Sequence, residues 1–101
     1  MMLYAIICED VPESLPKRQQ ARPAHLARLH ILQDAGRLVL AGPHPAIDCE
    51  NPAEAGFTGS LIVAQFASID HAKEWANADP YLDSGVYAHV TVKPFKQIFP
   101  S

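Results

Sequence analysis

Histidine is the side chain in this sequence whose proton chemistry lies nearest to neutral pH, and the chain has five of them. His25 shares a helical stripe with Leu29 and Leu32, so its imidazole is expected to point toward a sheet. A buried imidazole needs a polar partner. His30 lies five residues on, about 140° around the helix, and the sequence has no HxxxH or HExxH pattern, so the two histidines do not predict a metal site.

A carboxylate bonded to His25 would hold one tautomer and raise the basicity of the ring, as a general base requires. Asp79 is the preferred partner, because it caps the end of a predicted second helix and Pro80 fixes the chain beside it. Asp10, at the carboxyl end of the first predicted strand, is the second choice, and Asp34 falls on the opposite face of the helix. On spacing alone, a core histidine with a satisfied partner is the favoured alternative to a catalytic His25–Asp79 pair.

Three further residues are candidates for binding a substrate. Arg22 precedes His25 by three residues and could hold an anionic group, with a solvated charge at a helix start as the alternative. Tyr81 could line a pocket or fill the core. Ser60 begins a predicted strand and lies in no G-x-S-x-G nucleophile elbow, so it is kept as a binding candidate only.

The composition limits the classes of function. The chain has 101 residues, 49% apolar, with a net charge of −3, which indicates one globular domain over residues 1–101 and argues against a nucleic-acid partner. No apolar run reaches the ~18 residues of a membrane span, and the N-terminus has no signal-peptide pattern. Cys8 and Cys49 form no CxxC motif. We expect a cytoplasmic protein without cofactor, metal or membrane contact.

The elements that must position these residues alternate along the chain. Strands are predicted over residues 3–8, 37–41, 60–66 and 86–95. The first helix is predicted over residues 17–35, with its strong part beginning near Arg22 because proline is tolerated in a first turn; Gly36 suits its left-handed end. A second helix opens at residues 68–70, and residues 44–58 form a long loop. The order β-α-β-β-α-β predicts a ferredoxin-like α+β fold, an antiparallel sheet with helices on one face.

Both faces of the predicted sheet are apolar in three of the four strands. Side chains alternate between the two faces of a strand. In the first strand, one face therefore carries Leu3, Ala5 and Ile7, and the other carries Tyr4, Ile6 and Cys8. Two helices can cover only one face. The sequence therefore predicts a homodimer packed through the uncovered sheet face.

Several short motifs follow one another along almost the whole chain: Arg22-Pro23-Ala24-His25-Leu26, Asp34-x-Gly36-Arg37, Ala41-Gly42-Pro43, Gly56-Phe57-Thr58-Gly59-Ser60, Ala78-Asp79-Pro80-Tyr81, Gly85-Val86-Tyr87 and Val92-Lys93-Pro94-Phe95. In their order and spacing, the chain resembles the YCII-related domain family over residues 2–99. The resemblance implies a dimeric α+β barrel and a pocket with a His–Asp pair proposed to be catalytic, which His25 and Asp79 match. Related proteins include a dehydrochlorinase acting on a chlorinated, hydroxylated ring.

These observations lead to two expectations about function. The first is a small cofactor-independent enzyme that uses His25 as general acid or base and Asp79 to orient it. Its substrate would be small and phenolic or anionic, and its reaction an elimination, an isomerisation or a hydrolysis. The second is a non-catalytic, dimeric module that binds a small ligand, in which His25 and Asp79 form a structural pair.

Overall fold

The computed structural model describes residues 1–101, and it contains four strands and three α-helices. In chain order these are β1 (Met2–Asp10), α1 (Leu15–Asp34), β2 (Leu38–Pro45), β3 (Phe57–Phe66), α2 (Ile69–Asn77), α3 (Pro80–Asp83) and β4 (Tyr87–Phe95), with a 3-10 turn at Ala53–Ala55. All paired strands are antiparallel, in the order β2-β3-β1-β4. The predicted ferredoxin-like α+β fold is confirmed.

Helix α1 is longer than the sequence suggested. It begins at Leu15, with Pro16 in its first turn, and continues through Pro23 without a break. The expectation that the strong helix starts near Arg22 is therefore wrong. An interior proline costs a helix about 3 kcal/mol, and the side of α1 packed against the sheet offsets that cost. Gly36 follows the helix with φ of 71°, the left-handed end that the sequence predicted.

Strand β2 is also longer than predicted, and the loop after it is shorter. The predicted strand ended at residue 41, whereas β2 continues to Pro45 and pairs with β3 along its length. It lies at the edge of the sheet, where Pro43 and Pro45 are tolerated because only one side of the strand needs partners.

The core lies between one face of the sheet and the helices. The buried side chains of this face and of the helices above it form one cluster that includes Tyr4, Ile6, Cys8, Ile62, Ala64, Phe66, Leu32, Ala72 and Ala76. At the start of α2, the hydroxyl of Ser68 accepts a hydrogen bond from the His71 backbone N–H at 3.1 Å. This cap stabilises the start of α2, the helix that precedes α3 in the chain.

The opposite face of the sheet has no helix over it, and we call it the open face. Residues directly opposite each other in a ladder share a face, which places on it Leu40, Val63, Ala5, Leu61 and Ile7. Leu40 is 48% exposed.

Strand β4 contains a β-bulge opposite the end of β1. His89 pairs with Glu9 and Tyr87 pairs with Asp10, so Ala88 between them has no partner. As a result, the Tyr87 side chain lies in the core and that of His89 is exposed.

Candidate functional site

A cavity of about 420 Å³ lies between α1 and the covered face of the sheet near its β2 edge. Its wall includes the three predicted binding residues, Arg22, Ser60 and Tyr81, together with His25 and Arg18. Cavities that bind small molecules in proteins usually measure about 300–1,000 Å³. The volume here therefore suits a ligand of about one substituted ring.

The predicted contact between His25 and Asp79 is present. Nδ1 of the imidazole lies 2.8 Å and 3.0 Å from the two carboxylate oxygens, and the residues are 7% and 3% exposed. Asp79 does not cap the second helix, because α2 ends at Asn77 and Asp79 is instead the N-cap of α3. Its Oδ1 also accepts the backbone N–H of Tyr81 at 2.9 Å, which fixes the direction of the carboxylate.

The tautomer of His25 follows from this contact. A carboxylate only accepts hydrogen bonds, so Nδ1 carries the proton and donates it to Asp79. In the neutral imidazole, Nε2 then has a free lone pair. This nitrogen forms no hydrogen bond within the protein and is not fully enclosed. Because His25 lines the cavity, we infer that Nε2 is reached from the cavity. The arrangement allows this nitrogen to take a proton from a bound molecule.

Tyr81 holds the plane of the imidazole. Its ring stacks on that of His25 with centroids 3.9 Å apart and planes 8° from parallel, and it meets Tyr87 edge-on at 5.5 Å. Burial raises the pKa of the Tyr81 phenol above its usual value, and the charges of Arg18 and Arg22 only partly offset this. The phenol is therefore protonated at neutral pH, where its hydroxyl can donate.

A second buried ion pair borders the cavity, and the sequence analysis missed it. The guanidinium of Arg18 donates from Nε to Asp10 Oδ2 at 2.6 Å and from Nη2 to Oδ1 at 3.0 Å. Nη2 also reaches the Gly59 carbonyl at 2.9 Å and the Ser60 hydroxyl at 2.8 Å. Asp10, the second choice as partner of His25, therefore bonds to Arg18 instead.

Asp10 keeps the Arg18 guanidinium in its protonated, charged form. Burial alone would lower the Arg18 pKa, but the hydrogen bonds and the charge of Asp10 outweigh it, and the pKa lies above its ordinary value. Ser14 donates a further hydrogen bond to Asp10 Oδ2 at 2.6 Å. Asp10 ends β1 and Arg18 lies in the first turns of α1, so no helical spacing relates them, and the late predicted start of α1 left Arg18 outside the strong helix.

Gly59 makes room for this network. A Cβ atom at this position would lie 2.1 Å from the carbonyl oxygen of Cys8, so no larger residue fits between the paired strands. The close approach of the backbone places the Gly59 carbonyl against Arg18.

The remaining predicted residues occupy distinct places. Ser60 is buried at the cavity wall and its hydroxyl accepts from Arg18, whereas Arg22 is exposed at the cavity and forms no side-chain hydrogen bond. Cys8 is buried, with its thiol pKa raised by burial to about 12, and Cys49 is exposed. No group of three or more metal-binding side chains is assembled anywhere. None of the helices combines the length and apolar character needed to cross a bilayer.

Sequence comparisons agree over nearly the whole chain. The model of the YCII-related domain family matches residues 2–96. Protein YciI of Escherichia coli O6:H1 is 57% identical over 98 residues, which is 97% of this chain and all of that protein. An uncharacterized protein of Haemophilus influenzae shows the same identity and coverage.

Solved structures give a similar picture of the fold. The 5-chloro-2-hydroxyhydroquinone dehydrochlorinase of Burkholderia phenoliruptrix AC1100, in complex with 2,5-dihydroxybenzoquinone, superposes with a TM-score of 0.84 over 95% of both chains, at 28% identity. The protein Atu4242 of Agrobacterium tumefaciens superposes with a TM-score of 0.55 at 12% identity, over 100% of this chain and 97% of that one. The second likeness concerns the fold alone.

Proposed function

Because the chain belongs to the YCII-related domain family, we propose that it is a small cofactor-independent enzyme with His25 as general acid and base and Asp79 as its positioning residue. The main support for this proposal is that the two nitrogens of the His25 imidazole have different surroundings. Nδ1 is bound to Asp79 at 2.8 Å, while Nε2 opens onto a cavity of about 420 Å³. A histidine with only a structural role has no need of a cavity at its second nitrogen.

The proposed reaction begins with proton transfer. Nε2 of His25 takes a proton from the substrate, and the electron pair of the broken bond moves into the conjugated system of the substrate. The Asp79 carboxylate stabilises the imidazolium that forms. Return of the proton to a neighbouring atom completes an isomerisation, and loss of a leaving group completes an elimination. The same base acting on a water molecule would give a hydrolysis.

The class of substrate is inferred from the lining of the cavity and from one relative. The dehydrochlorinase that shares this fold acts on a small hydroxylated ring. In this chain the Tyr81 hydroxyl, the Ser60 side chain and the Arg22 guanidinium border the cavity and are suited to the oxygens of such a ring. We therefore propose a small phenolic or anionic substrate held by Arg22, Tyr81 and Ser60.

A homodimer is part of the same proposal. The open face exposes Leu40 and, at its β2 edge, Val39 by 48% and 43%, and no helix covers this face. A second copy packed on this face would bury them around a two-fold axis. The proposal treats the chain as one domain, since all four strands belong to one sheet. The free thiols of Cys8 and Cys49 support a reducing, cytoplasmic environment.

The test uses the substrate of the relative as its first probe. Wild-type protein and the variant His25→Gln are incubated with 5-chloro-2-hydroxyhydroquinone and related hydroxylated rings, and turnover is followed by chloride release and absorbance. A general base contributes about 10²–10⁴-fold, so His25→Gln should lower kcat/KM by that factor. His30→Gln, an exposed histidine on the same helix, is the control. Unchanged turnover in His25→Gln would refute the catalytic role.

The alternative, a ligand-binding module without turnover, has a distinct outcome. It is favoured by the low exposure of His25 and Asp79, 7% and 3%, which a structural pair would share. In that case His25→Gln lowers the melting temperature and the affinity for ring compounds, and neither the wild type nor the variant transforms any of them.

A further inference from the structure

Three polar atoms of residues that line the cavity form no hydrogen bond of normal length within the protein. Besides His25 Nε2, these are the hydroxyl of Tyr81 and Nη1 of Arg18. The other two nitrogens of the Arg18 guanidinium form four hydrogen bonds, whereas Nη1 forms none. Neither Nη1 nor the Tyr81 hydroxyl is fully enclosed, in contrast to Tyr87 Oη, which is buried without a partner. Both donors can therefore be reached from the cavity.

The Arg18 guanidinium is fixed before any ligand arrives. Asp10 holds its Nε–Nη2 edge through two bonds, and the Gly59 carbonyl and the Ser60 hydroxyl hold Nη2 from the sheet. Its central carbon lies 5.3 Å from the ring centroid of Phe57 and 5.1 Å from that of Tyr81. Little side-chain entropy is left to lose when a ligand binds, which favours affinity.

We propose that Arg18 Nη1 and the Tyr81 hydroxyl together bind an ionised oxygen of the substrate, so that the site selects small conjugated rings present as enolates or phenolates. This inference rests on the proposed function, because it assigns the binding partner of the ring on which His25 acts. At neutral pH the Arg18 guanidinium only donates hydrogen bonds and the protonated Tyr81 hydroxyl has one proton to donate, toward an ionised oxygen that can only accept. Asp10 compensates the charge of Arg18 from the opposite edge and leaves the Nη1 edge to the ligand.

The same pair of donors has a consequence for the proton transfer. When His25 Nε2 removes a proton, the released electron pair is delocalised onto a conjugated oxygen of the ring. A donor already aimed at that oxygen stabilises the charge as it develops, without rearrangement of the site. Arg18 would then act on the reacting atoms themselves as a catalytic residue.

The test measures binding, independent of turnover, with two probes built on the same quinone ring. The first is 2,5-dihydroxybenzoquinone, whose acidic hydroxyls are ionised at neutral pH, and the second is its dimethyl ether, which cannot ionise. Calorimetry on the wild type should show at least about tenfold tighter binding of the ionised probe, the range expected for a hydrogen bond to a charged group. Arg18→Gln should weaken the ionised probe by about 10–100-fold and the ether by less than about threefold.

Matched variants separate binding from folding and from net charge. Lys17→Gln removes an exposed positive charge from the neighbouring position of α1 and should change neither affinity. Arg18→Gln leaves the Asp10 carboxylate unpaired, so the double variant Asp10→Asn with Arg18→Gln, in which two amides replace the ion pair, is measured beside it. Tyr81→Phe keeps the ring and removes the hydroxyl, and should weaken the ionised probe by about 3–10-fold.

Each result decides the inference. Loss of the ionised probe in the Arg18 variants, with the ether retained, supports it. Equal loss of both probes in the folded double variant, or a wild type with no preference for the ionised probe, including one that binds neither, overturns it. A protein that binds through Arg18 yet keeps full turnover in His25→Gln retains this inference and loses the proposed function.

Discussion

The two faces of the sheet differ in what they bury. The covered side of the sheet holds the buried polar side chains of the molecule, and each is hydrogen-bonded: Ser14, Arg18, His25, Ser60 and Asp79. The open face has an aliphatic centre on β2, β3 and β1, where Leu40 is 48% exposed, and polar side chains such as Thr91 and Lys93 on β4. Charge is buried on the covered face, where the helices meet the sheet, whereas the side chains buried on the face without helices are apolar.

This difference separates two physical tasks. Burying an ion is tolerable only when a partner and further hydrogen bonds compensate for the lost water, and on the covered face β1, β3 and α3 hold those partners in fixed places against α1. An apolar face is stabilised by any cover of matching shape. In the function proposed above, the covered face binds the ligand and the open face associates with a second copy.

The comparison is tested most severely by removing one member of a buried pair. Asp10→Ala leaves Arg18 charged and unpaired on the covered face, so it should lower the free energy of unfolding by about 3–5 kcal/mol. Asp34→Ala, at an exposed position of α1, should change it by less than about 0.5 kcal/mol. Urea denaturation of the two variants measures both values. A loss below about 1 kcal/mol for Asp10→Ala would mean that this pair behaves as a surface salt bridge.

On the open face the sensitive property is association. Leu61→Glu places a charge among the aliphatic side chains, twice in a symmetric dimer, and should weaken association by about 3 kcal/mol or more, over 100-fold in Kd. Light scattering after gel filtration at micromolar concentration should show a dimer for the wild type and a monomer for the variant.

The control for this variant is an apolar residue outside the open face. Ile31 is 69% exposed on α1, and Ile31→Glu should leave the mass unchanged. Circular dichroism confirms that each variant is folded. A wild type that is monomeric, or a Leu61→Glu variant that is still dimeric, would contradict the assignment of this face to self-association.

The smallest expected effect, counted per unit of pH, is a loss of stability at alkaline pH, and it belongs to the covered face alone. Burial raises the pKa of Cys8 from its ordinary 9.0 to about 12, so above pH 9 the unfolded chain releases the thiol proton while the folded chain keeps it. Stability that is complete below pH 9 should fall by about 1 kcal/mol per pH unit above it. The buried phenols of Tyr81 and Tyr87, whose pKa values burial also raises, add to the loss at higher pH.

Two cysteine variants isolate the thiol contribution. In Cys8→Ala the decline of the urea midpoint just above pH 9 should become shallower, because the group with the earliest onset is gone. Cys49→Ala removes an exposed thiol and should reproduce the wild-type curve. Identical slopes in both variants would show that the Cys8 thiol ionises equally in the folded and unfolded chains.

Periodicity and chain punctuation predicted the fold because they are local properties. Alternation in residues 3–8 and 60–66, the cap at Ser68 and the left-handed Gly36 act within a few residues, and each is present in the structure. The errors in the predicted bounds of α1 and β2 arose at prolines, which were read as the ends of elements. Pro23 suggested a helix start and Pro43 a strand end, whereas the packing of α1 and the edge position of β2 accommodate both.

Within the candidate site, the sequence itself determined which face of α1 carries His25 and that Asp79 follows the second helix, since both depend on the helical repeat and on a proline. Only the tertiary structure decided that Asp10 pairs with Arg18 rather than His25, and that two donors and one free imidazole nitrogen converge on one cavity. The partners of a buried charge are chosen by distances across strands and helices far apart in the chain, which no local pattern encodes.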